Sequence, residues 1–360
     1  MLKFEIEEGE LLESLVTAIS KLPEGQAILR AREVPIGRNG RADALVDIVV
    51  GGRPMQLLVE AKRDAFPRDV RESVWQLRTN AAHLPTDGRH VLPFFVARAI
   101  SPGARDILRE EGIGFYDLGG TLYIPAPNAF VFIDRPPPRN TRKVFESVFQ
   151  GQKARVVMAV FERRHAWLNV KELAEITEVS PATASSTLIE MERREWVVVE
   201  GSGPSKLRRL CAAEEVLDAW QKYILEQKPA KIDRYYVPLP DIRTLSERLD
   251  QVCGGGDYAV TGEAAAQAYA PYLSSISQLK CRILPGPFQK QILDHLDARP
   301  VSEGWNLGVI ETRARGDVTV GERIDGVALA PALQVYLDLL EGSGRSKEMA
   351  AHLRAERLKP

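Results

Sequence analysis

The sequence has few of the residues on which zinc, disulfide and cofactor chemistry depend. Its 360 residues include 3 cysteines and 5 histidines, without a Cys-x-x-Cys or His-Glu-x-x-His motif. This pattern argues against a zinc centre or a disulfide framework and favours a reducing cytoplasm. A Gly-Lys-Ser/Thr phosphate loop and a Gly-x-Ser-x-Gly nucleophile elbow are also missing. We therefore expect no organic cofactor.

Long hydrophobic runs and a strong net charge are absent as well. The longest apolar stretches, such as residues 91–97, have only the length of a strand, so no membrane partner is expected. The acidic start MLKFEIEEGELL is unlike a signal peptide, which predicts a cytoplasmic location. With a formal charge of −1, any nucleic-acid surface must be a local patch.

Three charged residues stand in an apolar hairpin pattern near the start of the chain. Residues 44–50 and 56–62 read as two strands joined by a Gly-Gly-Arg-Pro turn, with Asp47 on the first and Glu60 and Lys62 on the second. Side chains two apart on a strand share a face. Two carboxylates and an ammonium around a hairpin can hold a divalent metal beside a phosphate.

This arrangement resembles the PD-(D/E)xK nuclease superfamily, with Asp47 as the aspartate and Glu60-Ala61-Lys62 as the E-x-K motif; Val46 replaces the proline. The resemblance implies Mg²⁺ or Mn²⁺ held by Asp47 and Glu60, and catalysis by Asp47, Glu60 and Lys62. Glu13 is either a further ligand or a solvated helix residue. Gln76 is either part of a glutamine motif or helix surface, and Asn80 stands where the accompanying tyrosine would be.

The first part of the chain predicts a mixed α/β domain of residues 1–138. Helical patterns at 11–22, 70–82 and 102–111 alternate with strand patterns at 44–50, 56–62, 91–98, 115–118, 121–124 and 130–133. A Pro-Pro-Pro segment followed by polar residues, 136–142, predicts a stiff linker after this domain.

Residues 143–212 predict three helices and a short β-hairpin, an arrangement that resembles a winged helix-turn-helix. The helices are expected at 152–165, 171–177 and 181–194, and Ser180 is the expected N-cap of the third. Such a domain reads double-stranded DNA with its third helix and touches phosphates with its wing. The DNA-binding residues expected here are Ser180, Thr183, Ser185, Ser186, Lys206, Arg208 and Arg209, with Thr187 as a further polar group. A block used for homodimer contacts is the alternative.

Residues 213–360 predict a C-terminal mixed α/β domain. The phrases YAVTGEAAA, ALAPALQVYLDLL and GRSKEMAAHLRAERL resemble the C-terminal region of AbiEi-family type IV antitoxins. That resemblance implies transcriptional regulation and a nucleotidyltransferase toxin as partner. The sequence thus predicts a multidomain α/β protein with a restriction-endonuclease-like domain, a winged helix-turn-helix and an AbiEi-like domain. Its primary predicted function is antitoxin-like DNA-binding transcriptional regulation. The alternatives are a Mg²⁺- or Mn²⁺-dependent DNA endonuclease and, more weakly, a toxin-binding antitoxin.

Overall fold

A computed structural model describes residues 2–36, 40–84, 89–126, 129–135, 147–239, 241–253, 258–284, 286–310, 312, 318–342 and 344–359. The chain divides into two compact units, Met1–Ser147 with Glu190–Glu195, and Val148–Ile189 with Trp196–Pro360. The predicted linker at 136–142 lies outside the described residues. A further division of the second unit near residue 212 stays a prediction.

The first unit contains a seven-stranded mixed sheet whose strands follow one another in chain order. The central pairs β3–β4 and β4–β5 are parallel, and the outer pairs are antiparallel. The elements are α1 (Leu2–Ser20), β1 (Gln26–Ile36), β2 (Gly40–Val50), β3 (Arg53–Ala65), α2 (Pro67–His83), β4 (His90–Ile100), α3 (Pro102–Glu110), β5 (Gly114–Asp117), β6 (Leu122–Ala126) and β7 (Ala129–Ile133).

Helices cover both faces of this sheet. On one face, α1 buries Leu11, Leu12, Leu15 and Ile19 against the alternate apolar residues of β2 and β3. Each such side chain contributes about 1.5–3 kcal/mol relative to an exposed one. On the other face, α2 and α3 pack their apolar stripes against β4 and β5. The polar residues of β2 and β3 point to this second face, where the candidate site lies.

The structure confirms the mixed α/β class and the predicted elements of the first unit, with ends shifted by several residues in places. It also contains β1, which the sequence pattern does not indicate. Most side chains of β1 are exposed or half-buried, so the strand lacks the regular apolar alternation by which strands are recognised.

The second unit begins with the predicted succession of three helices and a hairpin: α4 (Gly151–Glu162), α5 (Val170–Thr177), α6 (Pro181–Arg193), β8 (Val197–Glu200) and β9 (Leu207–Leu210). The Ser180 hydroxyl accepts a hydrogen bond from the backbone N–H of Thr183 at 3.1 Å, as expected of an N-cap. The predicted core residues Leu173, Leu188 and Met191 are fully buried.

A five-stranded sheet, in the order β11-β12-β14-β10-β13, follows in the second unit. Its strands β12 and β14 are parallel and the other pairs are antiparallel. The elements are α7 (Ala213–Leu225), β10 (Ile232–Tyr236), α8 (Ile242–Cys253), β11 (Tyr258–Thr261), α9 (Gly262–Tyr269), β12 (Leu279–Ile283), α10 (Pro287–His295), β13 (Arg299–Pro300), β14 (Leu307–Ile310), β15 (Arg323–Ile324), β16 (Val327–Ala328), α11 (Ala332–Leu340) and α12 (Arg345–Arg357).

The apolar helix α11 and the more polar helix α12 both contribute to the core of this region, because Leu333, Tyr336 and Leu353 are buried. Buried charge is neutralised locally, as in the 2.7 Å ion pair between Arg282 and Asp338. Among the described residues of both units, no helix is long and apolar enough to cross a bilayer.

Candidate functional site

The register of the β2–β3 hairpin decides which carboxylates meet. Gly51 and Gly52 both have positive φ, 59° and 71°, as a two-residue type I′ turn requires. The hairpin therefore pairs Val50 with Arg53, and its ladder continues to Ala44 and Val59. One step further along this register, Asp43 stands opposite Glu60.

The hairpin register does not bring Asp47 beside Glu60, as a shared metal site would need, although both residues point to the same face of the sheet. Asp47 pairs with Gln56, and Gln56 is four residues from Glu60, about 13 Å along a strand. The Asp47 carboxylate instead accepts hydrogen bonds from Arg30 at 2.6 Å, Arg89 at 2.8 Å and Gln56 at 2.9 Å. These hydrogen bonds outweigh the effect of burial and lower the pKa of Asp47.

Asp43 is the aspartate of β2 that contacts the Glu60-Ala61-Lys62 segment. The β2–β3 ladder stops at Ala44 and Val59, so the next N–H of β3 needs another acceptor. The carboxylate of Asp43 provides it, because the backbone N–H of Ala61 donates to Asp43 Oδ2 at 2.6 Å. A carboxylate is thus held by the backbone of the E-x-K segment itself.

Glu60 and Lys62 lie together as predicted. Lys62 Nζ is 2.7 Å from Glu60 Oε1, and the glutamate is the more buried partner. Burial, reinforced by the Asp43 charge, raises the pKa of Glu60 despite the lysine. Burial alone would lower the pKa of Lys62. The hydrogen bond and charge of Glu60, and then the charges of Asp43 and Asp69, raise it. Lys62 is therefore a cation at neutral pH and a proton donor in hydrogen bonds.

The pair Asp43 and Glu60 fits a hard divalent cation. Burial, and then the charge of Asp43, raises the pKa of Glu60, and a cation between the two carboxylates would relieve their repulsion. Among the described residues, no group of three or more Asp, Glu, His or Cys side chains could hold a metal ion. Since Mg²⁺ keeps several waters and is bound by one or two carboxylates plus substrate phosphate oxygens, two protein carboxylates are sufficient for it.

A cleft of about 740 Å³ opens beside this pair. Its lining on β3, α2 and β4 includes Glu60, Lys62, Arg63, Asp64, Asp69, Glu72, Ser73, Gln76 and Arg98. Gln76 therefore faces the cleft, so its interpretation as mere helix surface is incomplete. Asn80, one turn further along α2, is buried and donates to the carbonyl of Arg41 at 2.9 Å. It has a structural role at the place where a tyrosine was expected.

The first helix brings a glutamate close to the site, but a different one from that considered in the sequence. Glu13 is exposed. Glu8, one and a half turns earlier, has a raised pKa, first through burial and then through the charge of Asp43. Its carboxyl group therefore lies within electrostatic reach of Asp43, whereas the sequence offered no signal to separate it from the other glutamates of α1.

The raised pKa of Glu60 predicts pH-dependent metal affinity. The folded-state pKa of Glu60 lies above the unfolded value. The protonated carboxyl group therefore stabilises the fold at low pH, and this contribution is lost as the pH rises through the folded pKa. A metal binds only the carboxylate, so affinity for Mn²⁺ should rise over the same interval. Titration with Mn²⁺ at a series of pH values, from the ordinary glutamate pKa of 4.5 upward, measures this. The Glu60→Gln variant should lose the dependence, and a flat wild-type affinity would contradict it.

The predicted DNA-binding residues of the second unit do not form one exposed set. Ser186 and Arg209 are exposed, Ser180 caps α6, and Thr183, Ser185 and Lys206 are at most partly exposed. The Arg209 guanidinium lies 4.9 Å from the centre of the Trp167 ring. Their role in DNA binding stays a prediction.

Two of the predicted polar contacts are corrected. Arg208 is only 6% exposed and donates to the carbonyl of Lys206 at 3.0 Å, so it packs inside the hairpin rather than facing a phosphate. Thr187 is fully buried and donates to the Thr183 carbonyl at 2.8 Å. A small polar residue in a helix often satisfies its hydroxyl within the helix in this way.

Comparison with known proteins gives partial similarity to repair endonucleases. No protein-family model matches, and no curated protein matches. A repair endonuclease from Pyrococcus abyssi is 23% identical over 31% of this chain and 46% of its own, with a TM-score of 0.23. EndoMS in a complex with double-stranded DNA is 24% identical over 34% of this chain and 46% of its own, also with a TM-score of 0.23. This chain thus spans less than half of either structure, and a likeness of this size assigns it to no family.

Proposed function

We propose that the first unit is a Mg²⁺- or Mn²⁺-dependent endonuclease that hydrolyses phosphodiester bonds of DNA. The observation that carries the proposal is the convergence of Asp43, Glu60 and Lys62, joined by the 2.6 Å contact of Asp43 to Ala61 N–H and the 2.7 Å contact of Lys62 to Glu60. The combination of two acidic groups and one cation matches what hydrolysis of a phosphate diester needs.

Asp43 and Glu60 would hold the metal. When bound, such a metal lowers the pKa of water and offsets charge on the phosphate. The Ala61 N–H fixes the direction of the Asp43 carboxylate, so this ligand needs little rearrangement. Lys62, cationic at neutral pH, cannot accept a proton from water. It would donate hydrogen bonds to the attacking water or to the phosphate oxygen on which charge develops.

Incubation of supercoiled plasmid with the purified chain tests this function. We expect nicking with Mg²⁺ or Mn²⁺ and none with EDTA. The transcriptional-regulator hypothesis expects duplex binding without cleavage under all of these conditions. Sequence-specific binding with intact plasmid would therefore favour the regulator and reject the endonuclease.

In the same proposal, the second unit binds the duplex through α6 and the β8–β9 hairpin. Arg209→Ala should then reduce the slope of log affinity against log salt by about 0.9, since one phosphate contact is lost. Arg208→Ala should leave that slope unchanged but lower the free energy of unfolding by about 1–3 kcal/mol, because it removes a buried hydrogen-bonded side chain. Duplex binding at several salt concentrations and thermal unfolding separate the two effects. Equal slopes for Arg209→Ala and wild type would show that the hairpin does not touch the backbone.

A further inference from the structure

A second charged cluster lies on the same sheet face as the candidate metal site. The Asp47 carboxylate, only 16% exposed, accepts hydrogen bonds from Arg30 Nε at 2.6 Å and Arg89 Nη1 at 2.8 Å. Gln56 Nε2 occupies its other oxygen at 2.9 Å. Arg30 and Arg89 are 57% and 36% exposed. One carboxylate thus faces two guanidinium groups, which leaves a surplus of positive charge at the surface.

A β-bulge in β1 directs the side chain of Arg30 towards Asp47. Leu29 pairs with Val46 and Ala31 with Leu45, so Arg30 has no partner residue on β2. A bulge of this kind leaves the extra residue outside the ladder and redirects its side chain. The bulge leaves one residue of β1 unpaired and places the Arg30 guanidinium against the Asp47 carboxylate.

The two arginines keep donors for a further anion. Arg30 contacts Asp47 through Nε, and within the described part of the chain neither of its Nη groups has a hydrogen-bond partner. A guanidinium has five N–H donors in a planar fork that matches phosphate oxygens. The hydrogen bonds that lower the pKa of Asp47 keep it ionised, which reduces repulsion between the arginines.

We propose that Arg30 and Arg89, positioned by Asp47, bind a phosphate of the DNA backbone at a distance from the scissile bond. Gln56 and Glu60 are about 13 Å apart along β3, roughly four nucleotide steps at 3.4 Å per step. The inference rests on the proposed function, since it gives the same face of the sheet a further contact with the substrate strand. Asp47 is then a positioning residue, in place of the metal ligand that the sequence resemblance implied.

Duplex binding in EDTA, where no cleavage occurs, tests the arginines. The double variant Arg30→Gln/Arg89→Gln should lower the salt slope by about 0.9, since the contact with one phosphate is lost. The control Arg109→Gln/Arg243→Gln removes the same charge from two arginines that pair with acidic neighbours on helix surfaces. It should change the slope by less than about 0.5. If the double variant does not fold, Arg89→Gln alone, which keeps the Arg30–Asp47 pair, should lower the slope by a measurable part of this, up to about 0.9.

A duplex with one neutral methylphosphonate linkage tests the position. Placed about four nucleotides from the cut, it should weaken wild-type binding, and this penalty should vanish in the double variant and in Asp47→Asn. An unchanged slope with a lowered Tm would overturn the inference, since the arginines would then only clamp the strands. Absence of cleavage by the wild type would reject the proposed function while leaving the slope comparison intact.

Discussion

Asp43→Asn should reduce metal-dependent cleavage by at least about 100-fold, whereas Asp47→Asn should act mainly on DNA affinity. Altering a group that only orients a metal ligand commonly costs 10–100-fold, so loss of a ligand should cost at least as much. Asp43 and Asp47 are the same residue type on one strand and one face, four residues apart, which makes them a sharp comparison.

Steady-state cleavage of a labelled duplex with Mn²⁺ measures this difference. Asp43→Asn should lower kcat, and Asp47→Asn should raise KM while changing kcat by less than about threefold. Asp106→Asn, on the surface of α3 and paired with Arg109, serves as the neutral control. A large fall in kcat for Asp47→Asn with little effect of Asp43→Asn would restore the original assignment and reject the hairpin register as the basis of the site.

Lys62→Met should lower kcat by about 10²–10³-fold and at the same time tighten metal binding. The lysine is the cation that now neutralises Glu60 at 2.7 Å, and it competes with a metal for that carboxylate. Its removal frees Glu60 for the metal but takes away the donor to the water or the phosphate. Calorimetric titration with Mn²⁺, combined with single-turnover cleavage, reports the two effects separately.

The control for Lys62→Met is Lys21→Met, because Lys21 is an exposed residue directly after α1. It should change neither quantity. Weaker metal binding by Lys62→Met would indicate that the lysine supports the fold of the site instead of competing for Glu60. Unchanged cleavage would remove Lys62 from the mechanism.

The sequence was sufficient to find the hairpin, Glu60 and Lys62, because alternation along one strand fixes which side chains share a face. Their aspartate partner depended on the cross-strand register, which a residue pattern does not contain. The register could have been counted from Gly51 and Gly52, since a two-residue turn pairs Val50 with Arg53. The apolar pattern alone predicts a longer, four-residue turn, Gly-Gly-Arg-Pro, and points to Asp47 because it lies within an apolar run.

Other features could not be found in this way. Arg208 alternates with Arg209 on a short strand, but which of the two faces inward depends on what the hairpin packs against. Arg30 owes its position to a bulge, and bulges are set by tertiary packing. Glu8 is one of several glutamates on α1, and only the fold shows that its carboxyl group responds to Asp43.

The two-residue turn at Gly51 and Gly52 also limits how the gene can change. A single codon inserted between Gly52 and Val59 would reverse the facing of every later side chain of β3, unless a bulge absorbed it. Lys62 would then be driven into the apolar layer beneath α1, and Val59 would be turned out towards the cleft. Insertions and deletions in this hairpin should therefore be far more harmful than most substitutions at its exposed positions, such as Arg53.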